Sequence, residues 1–255
     1  MPEHELDLST LSLAYKTVTH SDKDFLPLTA NDQYLLLRQH PNLCFYDQEM
    51  NLVKETLWSH GNIWDMCWSL AIEKFIILEE NSIFLLDENT MSIDNIYTIE
   101  GRTWVSCTCS NTILYAVTHE WGPSIMEFKL LPTIELTKKW THPVTCTEDK
   151  LINDIGYNNG SIALLVDSKP DISLRIDLRY KKTLDRIWSL RLDIKDVGDT
   201  IFRFCPLTCH EWPVVDHKQA RLLQITTDGK MKKTGKYQSK PYRATLLYFV
   251  FEELA

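Results

Sequence analysis

What the sequence lacks narrows the field before any motif is considered. No apolar run in its 255 residues approaches the length of a membrane span. The opening MPEHELDLST is acidic where a secretory leader is basic and then apolar, so a cytoplasmic protein is expected. Basic excess is missing: 27 Lys and Arg stand against 35 Asp and Glu, for a net charge of −8. That balance argues against gripping nucleic-acid phosphates and against docking on an anionic membrane surface. The seven cysteines are scattered and odd in number, which fits thiols kept reduced better than a disulfide framework. Gly-rich phosphate loops, the Gly-x-Ser-x-Gly elbow and the His-Glu-x-x-His helix motif are all absent, and no cofactor is expected. What remains is an ordinary globular composition, 44% hydrophobic and 24% charged, in a chain long enough to bury a large core.

The informative stretch is Gly61 to Glu100, which predicts four short strands in succession. Ile63 to Ser69 is followed by Phe75-Ile76-Ile77-Leu78, then Ile83-Phe84-Leu85-Leu86, then the more polar Asp94 to Ile99. Each run is too short for a helix of about ten residues, and Glu, Asn and Asp clusters separate them. Two consecutive runs without alternation imply a sheet covered on both faces, as in a propeller blade stacked between its neighbours. The polar last strand suits an outer edge.

Aligned on this stretch, inner strands fall near residues 25, 63, 103, 152, 202 and 242, within the repeat length expected of propeller blades. An acidic residue recurs before the outer strand: Asp47, Asp87, Asp177 and Asp228. In this the chain resembles WD-repeat and YVTN-type β-propellers. The Gly-His pair of a WD repeat is absent, and its Trp-Asp pair occurs once, at Trp64-Asp65, in an inner strand. The resemblance therefore implies architecture and no functional residue. The expected fold is an all-β propeller of four-stranded blades, five complete and a partial sixth. That last blade would be built from Tyr242 to Phe249 and closed by the N-terminal strand Leu11 to Val18, with residues 1–10 flexible and 1–255 one domain. A fragment with an open last blade is the alternative, and a β-sandwich pair is the rival fold.

Two sets of side chains stand out. Loops joining second to third strands, and those joining one blade to the next, share one end of the ring. His40, His60, His119, His142 and His217 fall in them, together with Arg102, Glu120 and Trp121. Such an end is suited to recognition, although histidine is also common in loops generally. The second set, Trp64, Trp104, Asn153, Arg203 and Arg243, occupies matching inner-strand positions in this alignment. It would face a central channel able to hold a peptide or an anion, or else pack between blades. Asp65 and Asp154 also align, either as acid and base or as acceptors for backbone amides. Cys205, Cys209, His210 and His217, and Cys107 with Cys109, lack the paired spacing of structural zinc, so no metal is expected. The reading that follows is a non-catalytic propeller binding a protein or peptide, with a propeller hydrolase or lyase as the alternative. Oligomeric state is open.

Overall fold

The computed structural model describes residues 27–148, 150–168, 173–194, 201–205, 211–216 and 218–236. They form twenty strands in five four-stranded antiparallel sheets, each a meander from an inner to an outer strand. Blade one is β1 (Leu28–Ala30), β2 (Leu35–Gln39), β3 (Asn42–Tyr46) and β4 (Leu52–Leu57). Blade two follows as β5 (Ile63–Ser69), β6 (Lys74–Glu79), β7 (Ser82–Leu86) and β8 (Ile93–Thr98). In blade three these are β9 (Trp104–Cys109), β10 (Ile113–Thr118), β11 (Ile125–Lys129) and β12 (Glu135–Trp140). The fourth comprises β13 (Lys150–Asn158), β14 (Ser161–Ser168), β15 (Ser173–Tyr180) and β16 (Arg186–Arg191). Finally, β17 (Arg203–Phe204), β18 (Trp212–Asp216), β19 (Arg221–Ile225) and β20 (Met231–Lys236) make the fifth. No helix occurs among the described residues. The expected all-β propeller of four-stranded blades is what forms. The segments expected to build and close the sixth blade, with Arg243, lie outside the described residues.

The uninterrupted apolar runs have the anticipated cause, because alternate residues of one strand feed two different cores. Phe75 and Ile77 of β6 face blade one, where they meet Leu36, Leu43 and Phe45. Ile76 and Leu78 face blade three and meet Trp104, Leu114 and Phe128. The same arrangement joins blades three and four around Val117, Ile155 and Leu164, and blades four and five around Leu165, Ile176, Phe204 and Trp212. Each fully buried aliphatic side chain contributes about 1.5–3 kcal/mol. Outer strands have one covered face at most, and β4 alternates exposed and half-buried residues accordingly. Gly156 of β13 is fixed by this stacking: a Cβ there would lie 2.4 Å from the Phe204 ring and 3.2 Å from Trp212.

The first blade's inner strand is described over Leu28–Ala30. Two local expectations need correction. Asp47, Asp87 and Asp228 do sit in turns before outer strands, where Asp87 accepts hydrogen bonds from the amides of Asn89 and Thr90. Asp177, however, lies inside β15, fully buried, with Arg175 and Arg179 at 3.0 Å and Arg186 at 3.3 Å. The β15–β16 turn is instead built around Leu184, whose φ of 61° matches Met50 and Met91 (both 59°) before the outer strands of blades one and two. Blade four's outer strand therefore starts at Arg186.

The second correction concerns register. The inner strands of blades two, three and four each carry a β-bulge, leaving Trp64, Val105 and Asn153 as the extra residues. Pairing with the second strand then makes Asp65, Ser106, Asp154 and Arg203 equivalent, opposite Leu78, Val117, Leu165 and Val215. Trp64 thus corresponds to Val105, not Trp104, and Arg203 to Asp154, not Asn153. Trp104 is fully buried between blades two and three, near Phe128 and Tyr97.

Candidate functional site

Two polar constellations emerge from this register, one on the ring axis and one on the loop end. On the axis, three of the four equivalent residues accept a backbone hydrogen bond from the next blade. Asp65 Oδ2 accepts from the Cys107 amide at 2.9 Å, Ser106 Oγ from the Ile155 amide at 3.2 Å, and Asp154 Oδ2 from the Phe204 amide at 2.8 Å. Ser106 Oγ also lies 2.8 Å from Asp65 and 2.5 Å from Asp154, so one hydroxyl proton is shared between two carboxylates.

Arg203 closes this network and is itself fully buried. Its Nη2 donates to the Trp64 carbonyl at 3.0 Å and the Val105 carbonyl at 2.8 Å, while Nη1 donates to the Asn153 carbonyl at 2.9 Å. These are the three bulge residues. Bulging releases their carbonyls from the blade ladders, and the planar guanidinium collects them. Nη1 also reaches Asp154 at 3.1 Å and Asp65 at 3.9 Å. Asp65 and Asp154 therefore serve as acceptors for backbone amides, and Arg203 is spent on tying four blades together. Trp64 is half-buried against the His119 ring, with centroids 5.6 Å apart. Partial burial, then the Arg203 charge, pushes the His119 pKa below its ordinary value.

At the loop end, residues from three connections of blade three meet around a groove of about 550 Å³. Arg102 comes from the β8–β9 connection, Glu120, Trp121, Gly122 and Ser124 from the β10–β11 loop, and Thr141, His142 and Glu148 from the β12–β13 connection. Arg102 Nη1 lies 2.8 Å from both Glu120 Oε1 and Ser124 Oγ, and Thr118 Oγ1 donates to Glu120 at 2.9 Å. His142 Nε2 stands 3.3 Å from Glu148 Oε1, a pair that carries charge on both sides only when the ring is protonated. The loop is pressed onto the β13 entry at Gly122, where φ is +67° and a Cβ would come within 3.3 Å of the Glu148 Cα. Its amide donates to the Lys150 carbonyl at 3.0 Å. Trp121 stands 45% exposed at the rim.

Of the loop residues singled out from sequence, Arg102, Glu120, Trp121 and His142 line this groove, whereas His119 turns toward the axis. His40 lies beside Arg38 at 3.5 Å, and His60 packs on Phe84 and Trp58 at 4.3 and 4.9 Å, so neither lines it. His217, Cys209 and His210 are outside the described residues, and Cys205 is buried. Among the described residues no His, Cys, Asp or Glu group is arranged to hold a metal. Ser124, Thr141 and Glu148 were missed from sequence; Glu148 shares its connection with His142, which is the signal that was there to use.

No protein-family model matches the chain, and no curated protein matches it. Solved structures do. A hydrazine synthase chain of Kuenenia stuttgartiensis superposes with a TM-score of 0.60 at 12% identity, over 79% of this chain and 64% of that one. A streptogramin B lyase gives 0.57 at 13%, over 86% of both chains, and a chain of a nidogen/laminin complex gives 0.65 at 9%, over 86% of this chain and 82% of that one. This chain thus spans under two thirds of the hydrazine synthase chain. At such identities the likeness is one of fold, and it is the β-propeller fold that all of them share with this chain.

Proposed function

We propose that this chain is a binding propeller that engages a protein or peptide partner through the groove at the loop end of blade three. The observation that carries the reading is the exposed indole of Trp121 at the rim of a polar groove already ordered by the Arg102–Glu120 ion pair. A large aromatic with few rotamers, standing over preorganised hydrogen-bonding groups, is the usual anchor of a recognition surface. The Glu148 side chain is 76% exposed, so its carboxylate is open to a cationic group of the partner. A lysine or arginine of the partner can stack on Trp121 and pair with Glu148. A partner-binding role is in keeping with the fold's use in the nidogen/laminin complex.

The hydrolase or lyase reading draws on the His142–Glu148 pair and on the lyase among the fold's relatives. It has less to build on, because the two axial carboxylates are buried acceptors of backbone amides.

A photo-crosslinking amino acid at position 121, in cells that naturally make the chain, tests the proposal. A control probe goes at Leu70, in the turn at the other end of blade two. A discrete partner captured from position 121 and not from 70 is expected. Trp121→Ala should then weaken that partner in titration calorimetry by about 2 kcal/mol, roughly thirtyfold. Equal capture at both positions, or unchanged affinity in Trp121→Ala, would refute the assignment.

A further inference from the structure

The inner strands of blades two and three meet at three thiols that neither the axial network nor the groove uses. Cys67 Sγ on β5 lies 3.5 Å from Cys109 Sγ and 3.6 Å from Cys107 Sγ, both on β9. Cys107 and Cys109 are two residues apart on one strand and so point to the same side, across the seam toward Cys67. Cys107 is buried, whereas Cys67 and Cys109 are half-buried at the margin of the apolar core between the blades. Two half-buried cysteines on different blades thus have their sulfurs in van der Waals contact.

We propose that Cys67 and Cys109 form a reversible disulfide linking blades two and three when the chain meets a small disulfide such as oxidised glutathione. Cys109 is the entry point. The Cys67 thiol is held well above the usual thiol range: its hydrogen bond with Cys107 lowers it, but the Cys109 hydrogen bond, burial and the charges of Cys109 and Asp65 outweigh that. Cys109, as thiolate, attacks one sulfur of oxidised glutathione, and one glutathione leaves as thiolate and takes up a proton. Cys67 then gives up its proton and attacks the Cys109 sulfur of the mixed disulfide, expelling the second glutathione. Two protein thiols are oxidised and one glutathione disulfide is reduced to two thiols, so electrons and atoms balance. Cys107 remains a thiol beside the new bond.

The test uses the intact chain with oxidised glutathione, timed alkylation of remaining thiols, and peptide mass spectrometry without reduction. A transient glutathione adduct on Cys109 followed by a linked Cys67–Cys109 peptide, reversed by dithiothreitol, is expected. In Cys67→Ser the adduct should persist, at about tenfold higher steady occupancy than in the parent chain. Persistence of the adduct in the parent chain, a bond to Cys107 in place of Cys109, or no modification of either residue would overturn the proposal. Because the time course of the parent chain is decisive alone, poor folding of the serine variant leaves the test intact.

Discussion

Replacing Arg203 with methionine is the most direct perturbation of the axial network. The substitution keeps much of the side-chain volume and removes the only charge facing Asp65 and Asp154 among the described axial residues, whose side chains are 1% and 5% exposed. Breaking a buried pair by deleting one partner costs about 3–5 kcal/mol, since the remaining charge loses its counter-charge. The carbonyls of Trp64, Val105 and Asn153 also lose their donor, and an unsatisfied buried acceptor costs roughly 1–3 kcal/mol. The two penalties overlap, so we expect a loss of about 4–6 kcal/mol, a large share of the 5–15 kcal/mol typical of a folded protein. At roughly 2–4 °C per kcal/mol for a chain of this size, the melting temperature should fall by about 10–20 °C. Urea unfolding followed by tryptophan fluorescence measures this directly. A second arm isolates the charge term: adding Asp65→Asn and Asp154→Asn to the methionine variant should recover part of the loss. A methionine variant within about 1 kcal/mol of the parent chain would show that Arg203 is not the tie described here. No recovery in the triple variant would refute the electrostatic part alone.

The remaining expectations are simpler. Gly156→Ala should destabilise by about 1–3 kcal/mol, because the new methyl meets the Phe204 ring in a closely packed seam, and urea midpoints will report it. Glu73 is exposed with φ of 51° in the β5–β6 turn, so Glu73→Gly should stabilise by about 0.5–1 kcal/mol in the same assay. Burial raises the Asp177 pKa, but Ser189 and its arginine partners more than offset that and hold it below the ordinary carboxylate value. A depressed folded pKa gives stability that is complete above the unfolded value of about 3.9 and is lost as pH falls through the folded one. Asp177→Asn should therefore be less stable at pH near 6 and lose less on acidification to about pH 3, as urea midpoints at the two pH values will show. An unchanged acid response would sink that reading.

The blades were legible because their signal is redundant: each is announced by two apolar runs, and an error of a residue in one does not move the rest. Turn chemistry at Asp87 and Asp228 was legible for the same reason, being local. What escaped was anything that depends on one residue of register. A bulge inserts Trp64, Val105 or Asn153 without changing composition or pattern, yet it shifts every equivalence on the axis by one position and exchanges a supposed ligand-facing arginine for a structural one. Asp177 misled because a buried carboxylate paired with arginines has the same letter as a turn aspartate. Once the strands were assigned, the groove could be anticipated in part, since loop ends follow from topology. Its Arg102–Glu120 ion pair could not be, since it joins separate connections, whereas His142 and Glu148 share one.

The axial arginine also has a temporal consequence. Its carbonyl partners lie 50, 98 and 139 residues earlier in the chain. During synthesis, blades two to four emerge before residue 203, and the tie arrives only with the fifth. Contacts of such sequence separation form late and slowly, so a nascent or truncated chain ending before residue 203 would be a row of blades without its clasp, and a natural client for chaperones.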